Sequence, residues 1–332
     1  MQQRVEFDEG TPVVTAASGL LADEDAVSPM LGWMAEGQRA VLVTMVGVHG
    51  GAPRAPGAQM AVSEDGRFAG YLSGGCLEQA VVLEALDVLK KGQNRLVRYG
   101  KDSPYFDIRL PCGSGLDVYF DQALTHDDVA TLALHRAQRA SALLRTDLST
   151  GKSSVVTFAA GAPLYESRRT ADVFERVYTP PLQLLLVGTG PGLLGLASLA
   201  SAIGITLRVV PFDDATRANL SSSGHGAAIE TRLPEALDFA SAAVLVLHDH
   251  DKEPDVLEAL LRTDCFYVGA LGNHAVHRAR LAELAARGLR EADRGRIRAP
   301  VGAIPGAKSK ATLAVGVLME LMAEAKARNL VS

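Results

Sequence analysis

Leu182-Gln183-Leu184-Leu185-Leu186-Val187-Gly188-Thr189-Gly190-Pro191-Gly192-Leu193-Leu194-Gly195-Leu196 is the stretch whose reading decides the fold. Its first six residues are an apolar run too short for a helix and bounded by turn formers, which predicts a buried strand. A glycine-rich turn follows, and residues 193–202, rich in Leu and Ala, predict a helix. Residues 206–210 then read as a second strand. Farther on, 243–247 and 266–270 read as strands separated by a helix at 254–262, with two more helices at 275–287 and 311–327. Strands alternating with helices imply βαβ units and a parallel sheet. Residues 182–332 are therefore expected to form a Rossmann-type domain.

The same stretch excludes a membrane span. No charged residue occurs from 177 to 207, yet Pro180-Pro181 and the glycine turn cut the run into pieces. A span needs about 20 uninterrupted apolar residues.

Upstream, residues 41–48 (VLVTMVGV) predict a strand and lead into Gly50-Gly51-Ala52-Pro53-Arg54-Ala55-Pro56-Gly57. Residues 59–63 and 67–72 flank Glu64-Asp65-Gly66, a hairpin signal. Ser73-Gly74-Gly75-Cys76 leads into a predicted helix at 77–90, and 95–99 and 116–120 read as strands around Pro111-Cys112-Gly113. Thr125 can cap a helix that the Ala/Leu content carries to about 145. Residues 153–159 read as a strand, and the polar stretch 166–179, ending in two prolines, reads as a linker. The expected organisation is an extension at 1–30, an α/β domain at 31–170, a linker at 171–181 and the Rossmann-type domain at 182–332.

The chain has 332 residues, 48% of them apolar and 21% charged, enough for two cores of ordinary size. A net charge of −5 argues against nucleic-acid binding, which needs a concentrated basic surface. Three widely spaced cysteines, Cys76, Cys112 and Cys265, form neither a disulfide nor a zinc pattern, so a reducing cytoplasm is the expected compartment. Residues 1–25 carry acids and lack the basic start and apolar core of a secretion signal.

Three loops carry candidate chemistry. The turn Gly188-Thr189-Gly190-Pro191-Gly192 has the composition that lets backbone amides approach a phosphate at a helix N-terminus. Two departures disfavour NAD(P): Leu193 stands where a third glycine is usual, and Pro211 stands where a ribose-binding acid is usual, with Asp213 two residues later. His248 and His250 follow a predicted core strand, at the carboxyl edge where α/β sheets bind ligands. Two histidines fall short of a metal site, which needs three or four ligands; ligand contact is preferred to a metal, and plain loop solvation is the equal alternative. Cys76 stands at a glycine-preceded helix start, where a thiol's pKa falls and the thiolate becomes a nucleophile or soft metal ligand. A small buried residue is the equal alternative for Cys76. Cys265 begins an apolar strand and reads as core.

Gly51-Ala-Pro-Arg-Ala-Pro-Gly-Ala-Gln-Met60, Asp65-Gly66, Ser73-Gly-Gly-Cys-Leu-Glu78 and Pro111-Cys-Gly113 resemble the N-terminal domain of the xanthine dehydrogenase accessory (XdhC/CoxI) family. Phe266-Tyr-Val-Gly-Ala-Leu-Gly272 and Arg298-Ala-Pro-Val-Gly302, with His248 and His250, are similar to that family's Rossmann domain. The resemblance implies an XdhC/CoxI-type α/β domain followed by a Rossmann-type parallel-sheet domain. It implies a chaperone rather than an enzyme, one that binds molybdenum cofactor (molybdopterin), assists its sulfuration and delivers it to a xanthine-dehydrogenase-type apoenzyme. A cysteine desulfurase is an implied partner, and a homodimer is expected because symmetric dimers are the commonest assemblies. Arg54, Ser73, Gly74, Gly75, Cys76, Cys112, Gly188, Gly190, Gly192, His248 and His250 become the expected cofactor-binding residues, with Cys76 on the metal. Tyr71-Leu72, Asn273-His274 and Lys308-Ser309-Lys310 depart from the family's pattern. An NAD(P)-dependent oxidoreductase and a cofactor nucleotidyltransferase are the competing functions.

Overall fold

The computed structural model describes residues 25–52, 54–73, 77–101, 103, 115–158, 164–247 and 252–331. The chain divides into two compact units between Tyr178 and Thr179.

The first unit contains α1 (Val27–Ala35), β1 (Ala40–His49), β2 (Gln59–Ser63), β3 (Phe68–Gly70), α2 (Glu78–Lys91), β4 (Arg95–Gly100), β5 (Gly115–Asp121), α3 (His126–Ala137), β6 (Ala142–Asp147), β7 (Lys152–Thr157), β8 (Arg168–Thr170) and β9 (Val173–Tyr178). Strands β3-β2-β1-β5-β4 form an antiparallel sheet in that order. Alternation along β1 explains its unbroken apolar sequence. Val41, Val43 and Met45 pack with Val81, Ala85 and Val88 of α2. Ala40 and Leu42 belong instead to a cluster with Met30 and Trp33 of α1 and Val129 and Leu132 of α3. With helices on both faces, the buried positions of β1 are apolar or hydrogen-bonded, as at Thr44, whose hydroxyl accepts from Gln59 Nε2 at 2.9 Å.

Strands β7-β6-β9-β8 form a second antiparallel sheet, and two expectations change here. The helix begun at Thr125 stops at Ala137, and Arg139 takes a left-handed φ of 54°. Residues 142–147 are strand β6, paired on both sides by β7 and β9. Ala and Leu suited a helix, but tertiary pairing overrode that propensity. The stretch 166–179, expected to be an open linker, carries the antiparallel hairpin β8–β9. Its polar composition reflects the exposure of β8, every residue of which faces solvent.

The second unit contains β10 (Gln183–Gly188), α4 (Gly190–Ala202), β11 (Thr206–Pro211), α5 (Asp214–Ser222), β12 (Ser241–Val246), α6 (Glu253–Leu261), β13 (Tyr267–Ala270), α7 (His274–Ala286), α8 (Glu291–Arg294), β14 (Ile297–Arg298) and α9 (Lys310–Ala327). Its five strands run parallel in the order β11-β10-β12-β13-β14. Outside β11, Ile229 forms a single parallel bridge to Val209, and the Glu230 amide donates to the Val209 carbonyl at 2.7 Å. That bridge stands where the third strand of the Rossmann order belongs, so the sheet is a Rossmann sheet with that strand reduced to one residue. No helix among the described residues is long and apolar enough to cross a membrane.

Candidate functional site

Topology gathers the N-terminal motif loops. In the first sheet Thr44 pairs with Gln59, Met60 with Gly70, His49 with Gly115 and Gly100 with Gly115. So β1, β3 and β4 end at one edge of the sheet, and β2 and β5 begin there. The loops joining β1 to β2, β3 to α2 and β4 to β5 all leave from that edge, and they carry the Arg54, Cys76 and Cys112 motifs. Gly74, Gly75, Cys76 and Cys112 themselves lie outside the described residues.

A cation–π contact and a hydrogen-bond network hold described parts of these loops. The Arg54 guanidinium stacks on the Tyr71 ring, 4.7 Å from its centroid. Tyr71, a departure from the family pattern, is therefore the surface that holds Arg54. Ser73 is held by Glu78, a residue whose role the sequence did not disclose. The buried Glu78 Oε1 accepts from the amides of Leu72 at 3.0 Å and Ser73 at 2.8 Å, and Oε2 from the amide of Leu77 at 3.1 Å. The Ser73 hydroxyl donates to Oε2 at 3.1 Å and accepts from the Leu77 amide at 3.0 Å. Burial pushes the Glu78 carboxyl up, but the amides of Ser73, Glu78 itself, Leu77 and Leu72 together hold it below the ordinary range. One carboxylate thus ties both ends of the Ser-Gly-Gly-Cys loop to the start of α2.

A second cluster stands at the same edge, on residues with no motif. Buried Asp117 of β5 accepts from Arg98 Nε at 2.7 Å and Nη2 at 3.0 Å. His49 Nε2 lies 2.9 Å from Asp117 Oδ2 and 2.8 Å from Arg98 Nη2, and Arg169 Nη1 of β8 stands 3.7 Å from Oδ2. Burial pushes the Asp117 carboxyl up; Arg98 and His49 outweigh it and keep the group ionised below its usual value. Gly47, at an irregularity in β1, makes room: a Cβ there would sit 3.0 Å from Asp117 Oδ2. The available signal was an acid inside the apolar strand sequence Leu116-Asp117-Val118-Tyr119-Phe120.

In the second unit the glycines of the turn differ in what they do. Gly188 has φ +140°, and a Cβ there would strike the Val246 carbonyl. Its smallness serves strand packing. Gly192 lies against Leu313 of α9, 3.2 Å from a built Cβ, while Gly190, at φ +84°, faces open space. The Thr189 amide donates to the Val246 carbonyl at 3.0 Å, and the Gly190 amide donates to the Thr216 hydroxyl at 2.8 Å. Pro191 has no amide hydrogen, which leaves Gly192 to supply the donor at this helix start. Thr216 is in turn held by Asp213, which accepts from its amide at 2.7 Å and its hydroxyl at 2.9 Å. Those two bonds lower the Asp213 pKa and make the residue the cap of α5.

His248 and His250 lie outside the described residues. Among the described residues no group of three His, Cys, Asp or Glu side chains is placed to hold a metal ion. Cys265 is buried as expected, and burial pushes its thiol up.

Comparison with known proteins matches both units. The profile of the XdhC and CoxI family matches residues 33–100, and that of the XdhC Rossmann domain matches residues 184–321. The chain is 36% identical over 288 residues to the molybdenum cofactor insertion chaperone PaoD of Escherichia coli (strain K12), covering 86% of this chain and 83% of that one. It is 26% identical over 267 residues to a probable xanthine dehydrogenase subunit of Bacillus subtilis (strain 168), covering 71% and 80%. A crystal structure from Bacillus halodurans, described as a xanthine dehydrogenase, shares the fold with a TM-score of 0.72 at 21% identity, covering 92% of this chain and 97% of that one.

Proposed function

Since the chain belongs to the XdhC and CoxI family, we propose that it is a chaperone that binds molybdenum cofactor and inserts it into a xanthine-dehydrogenase-type molybdoenzyme. The observation that carries this reading is that the strands flanking the loops with Arg54, Cys76 and Cys112 end or begin at one sheet edge. Molybdopterin presents a phosphate and a dithiolene-bound metal. Thiolates are soft ligands suited to that metal, and a guanidinium suits the phosphate. In this reading Arg54, Ser73, Gly74, Gly75, Cys76 and Cys112 form the cargo loops, and Cys76 contacts the metal. Gly188, Gly190, Gly192, His248 and His250 make a second group, weaker at the turn because two of its amides are already used.

The competing oxidoreductase finds little support. Pro211 stands where the ribose-binding acid is usual, and Asp213, two residues later, accepts from Thr216 on both oxygens as the cap of α5. Nothing among the described residues favours a nucleotidyltransferase.

Reconstitution tests the reading. Purified apoenzyme supplied with cofactor and this chain should gain activity several-fold faster than with cofactor alone; equal rates would overturn it. Sulfuration by a cysteine desulfurase and a cytoplasmic homodimer complete the proposal, since closed symmetric dimers are the commonest assemblies. Co-purification of a desulfurase and a sedimentation mass twice that of the chain check these two points, and a monomer without desulfurase would remove them.

A further inference from the structure

The Asp117 cluster stands at the edge from which the motif loops leave. Among the described residues, Arg98 and Arg169 bring two guanidinium charges to the one carboxylate of Asp117. The charge is not locked away: the side chains of Arg98, Arg169 and His49 are 36%, 33% and 47% exposed, against 9% for Asp117. Arg169 is the least compensated of the three. Its Nη1 stands beyond hydrogen-bond distance of Asp117, and its Nε is spent on the Ala171 carbonyl at 3.0 Å. Asp117 does not cancel this charge but aims it, because two bonds from Arg98 and one contact from His49 fix those side chains on a buried anchor.

A partly exposed pair of guanidinium groups suits an oxyanion with several acceptor oxygens. We propose that Arg98, held by Asp117, and Arg169, held at the Ala171 carbonyl, form a binding site for a phosphate monoester at the edge from which the motif loops emerge. Identifying that monoester with the phosphate of molybdopterin rests on the proposed function; the oxyanion chemistry does not. A phosphate here and thiolates in the loops would hold a cargo by its two ends.

Calorimetric titration of the full chain with inorganic phosphate tests the site directly, without the cofactor. Arg169→Gln should weaken phosphate binding about tenfold or more, the equivalent of one charge-assisted hydrogen bond. Removing Arg98 alone would strand a buried carboxylate. The paired variant Arg98→Gln/Asp117→Asn removes both charges and should weaken binding at least as much, with circular dichroism unchanged. Wild-type affinity in both variants, or a wild-type chain that takes up no phosphate, would overturn the site. A second titration uses pterin phosphate and its dephosphorylated form. Preference for the phosphorylated form, lost in Arg169→Gln, supports the site and links it to the cargo. Equal binding of the two forms, unchanged in Arg169→Gln, contradicts the site even in a chain that retains the cofactor. Arg169-dependent phosphate binding in a chain that never takes up the cofactor would uphold the site and sink the chaperone reading.

Discussion

Glu78 holds the residues that flank the Gly-Gly-Cys segment, Leu72 and Ser73 on one side and Leu77 on the other. Its two oxygens accept from three amides and a hydroxyl, so an uncharged amide in its place would point a donor at donors. Glu78→Gln should cost about 1–3 kcal/mol of stability and reduce cofactor retention, read by thermal unfolding and by bound pterin. The pH dependence has a definite sign. The folded pKa lies below the unfolded one, so the stabilisation is complete above the ordinary glutamate value of about 4.3 and is lost as pH falls through the lower folded value. The gap between variant and wild type should therefore close in acid; a constant gap from pH 7 to pH 3 would count against the carboxylate. None of this was legible in sequence, because a glutamate at a helix start reads as a favourable charge near the dipole. Its role comes from three amides meeting at one point. The departures from the family pattern are explained at the same scale. Tyr71 supports Arg54, Asn273 caps α7 by accepting from the amides of Ala275 and Val276, and Ser309 caps α9 through Thr312.

Among elements, strands and helices with a clear period were readable, and those decided by partners were not. β1 and α2 are close to expectation because apolar alternation and helix-forming composition agreed with the packing. β6 was hidden because an Ala-Leu-Leu run fits either state, and β8–β9 because an exposed hairpin has linker-like composition. The Rossmann turn was recognisable as a turn, but the capture of the Gly190 amide by Thr216, more than 20 residues on, was not. A buried ion pair joins two of the Rossmann helices. Arg280 of α7 meets Glu253 of α6 at 2.5 Å, with side chains 3% and 8% exposed, and Arg280 also donates to the Leu271 carbonyl at 2.6 Å. Breaking such a pair strands a charge, so Glu253→Gln should destabilise the chain by about 3–5 kcal/mol. Glu253→Gln/Arg280→Gln should cost less than either single change. Chemical denaturation of the three variants decides this, and additive losses would mean that the two side chains act independently.

At the scale of the whole molecule, the sequence displayed two α/β units and the alternation of strands and helices that makes the second sheet parallel, but not the order of its strands. It could not show that the motif loops share an edge, since that depends on strand register in the first unit. The function reading rests on this convergence together with family membership, and its centre is the claim that the chain carries molybdenum cofactor on a thiolate. Molybdenum and pterin content of protein purified without air, wild type beside Cys76→Ser, tests that claim most directly. A serine hydroxyl matches the thiol in size but is a poor soft-metal ligand at neutral pH. The account predicts molybdenum and pterin in equal amounts on the wild-type chain and loss of both from the variant, with circular dichroism unchanged. Wild-type protein without pterin, or a variant that retains as much cofactor as the wild type, would contradict it.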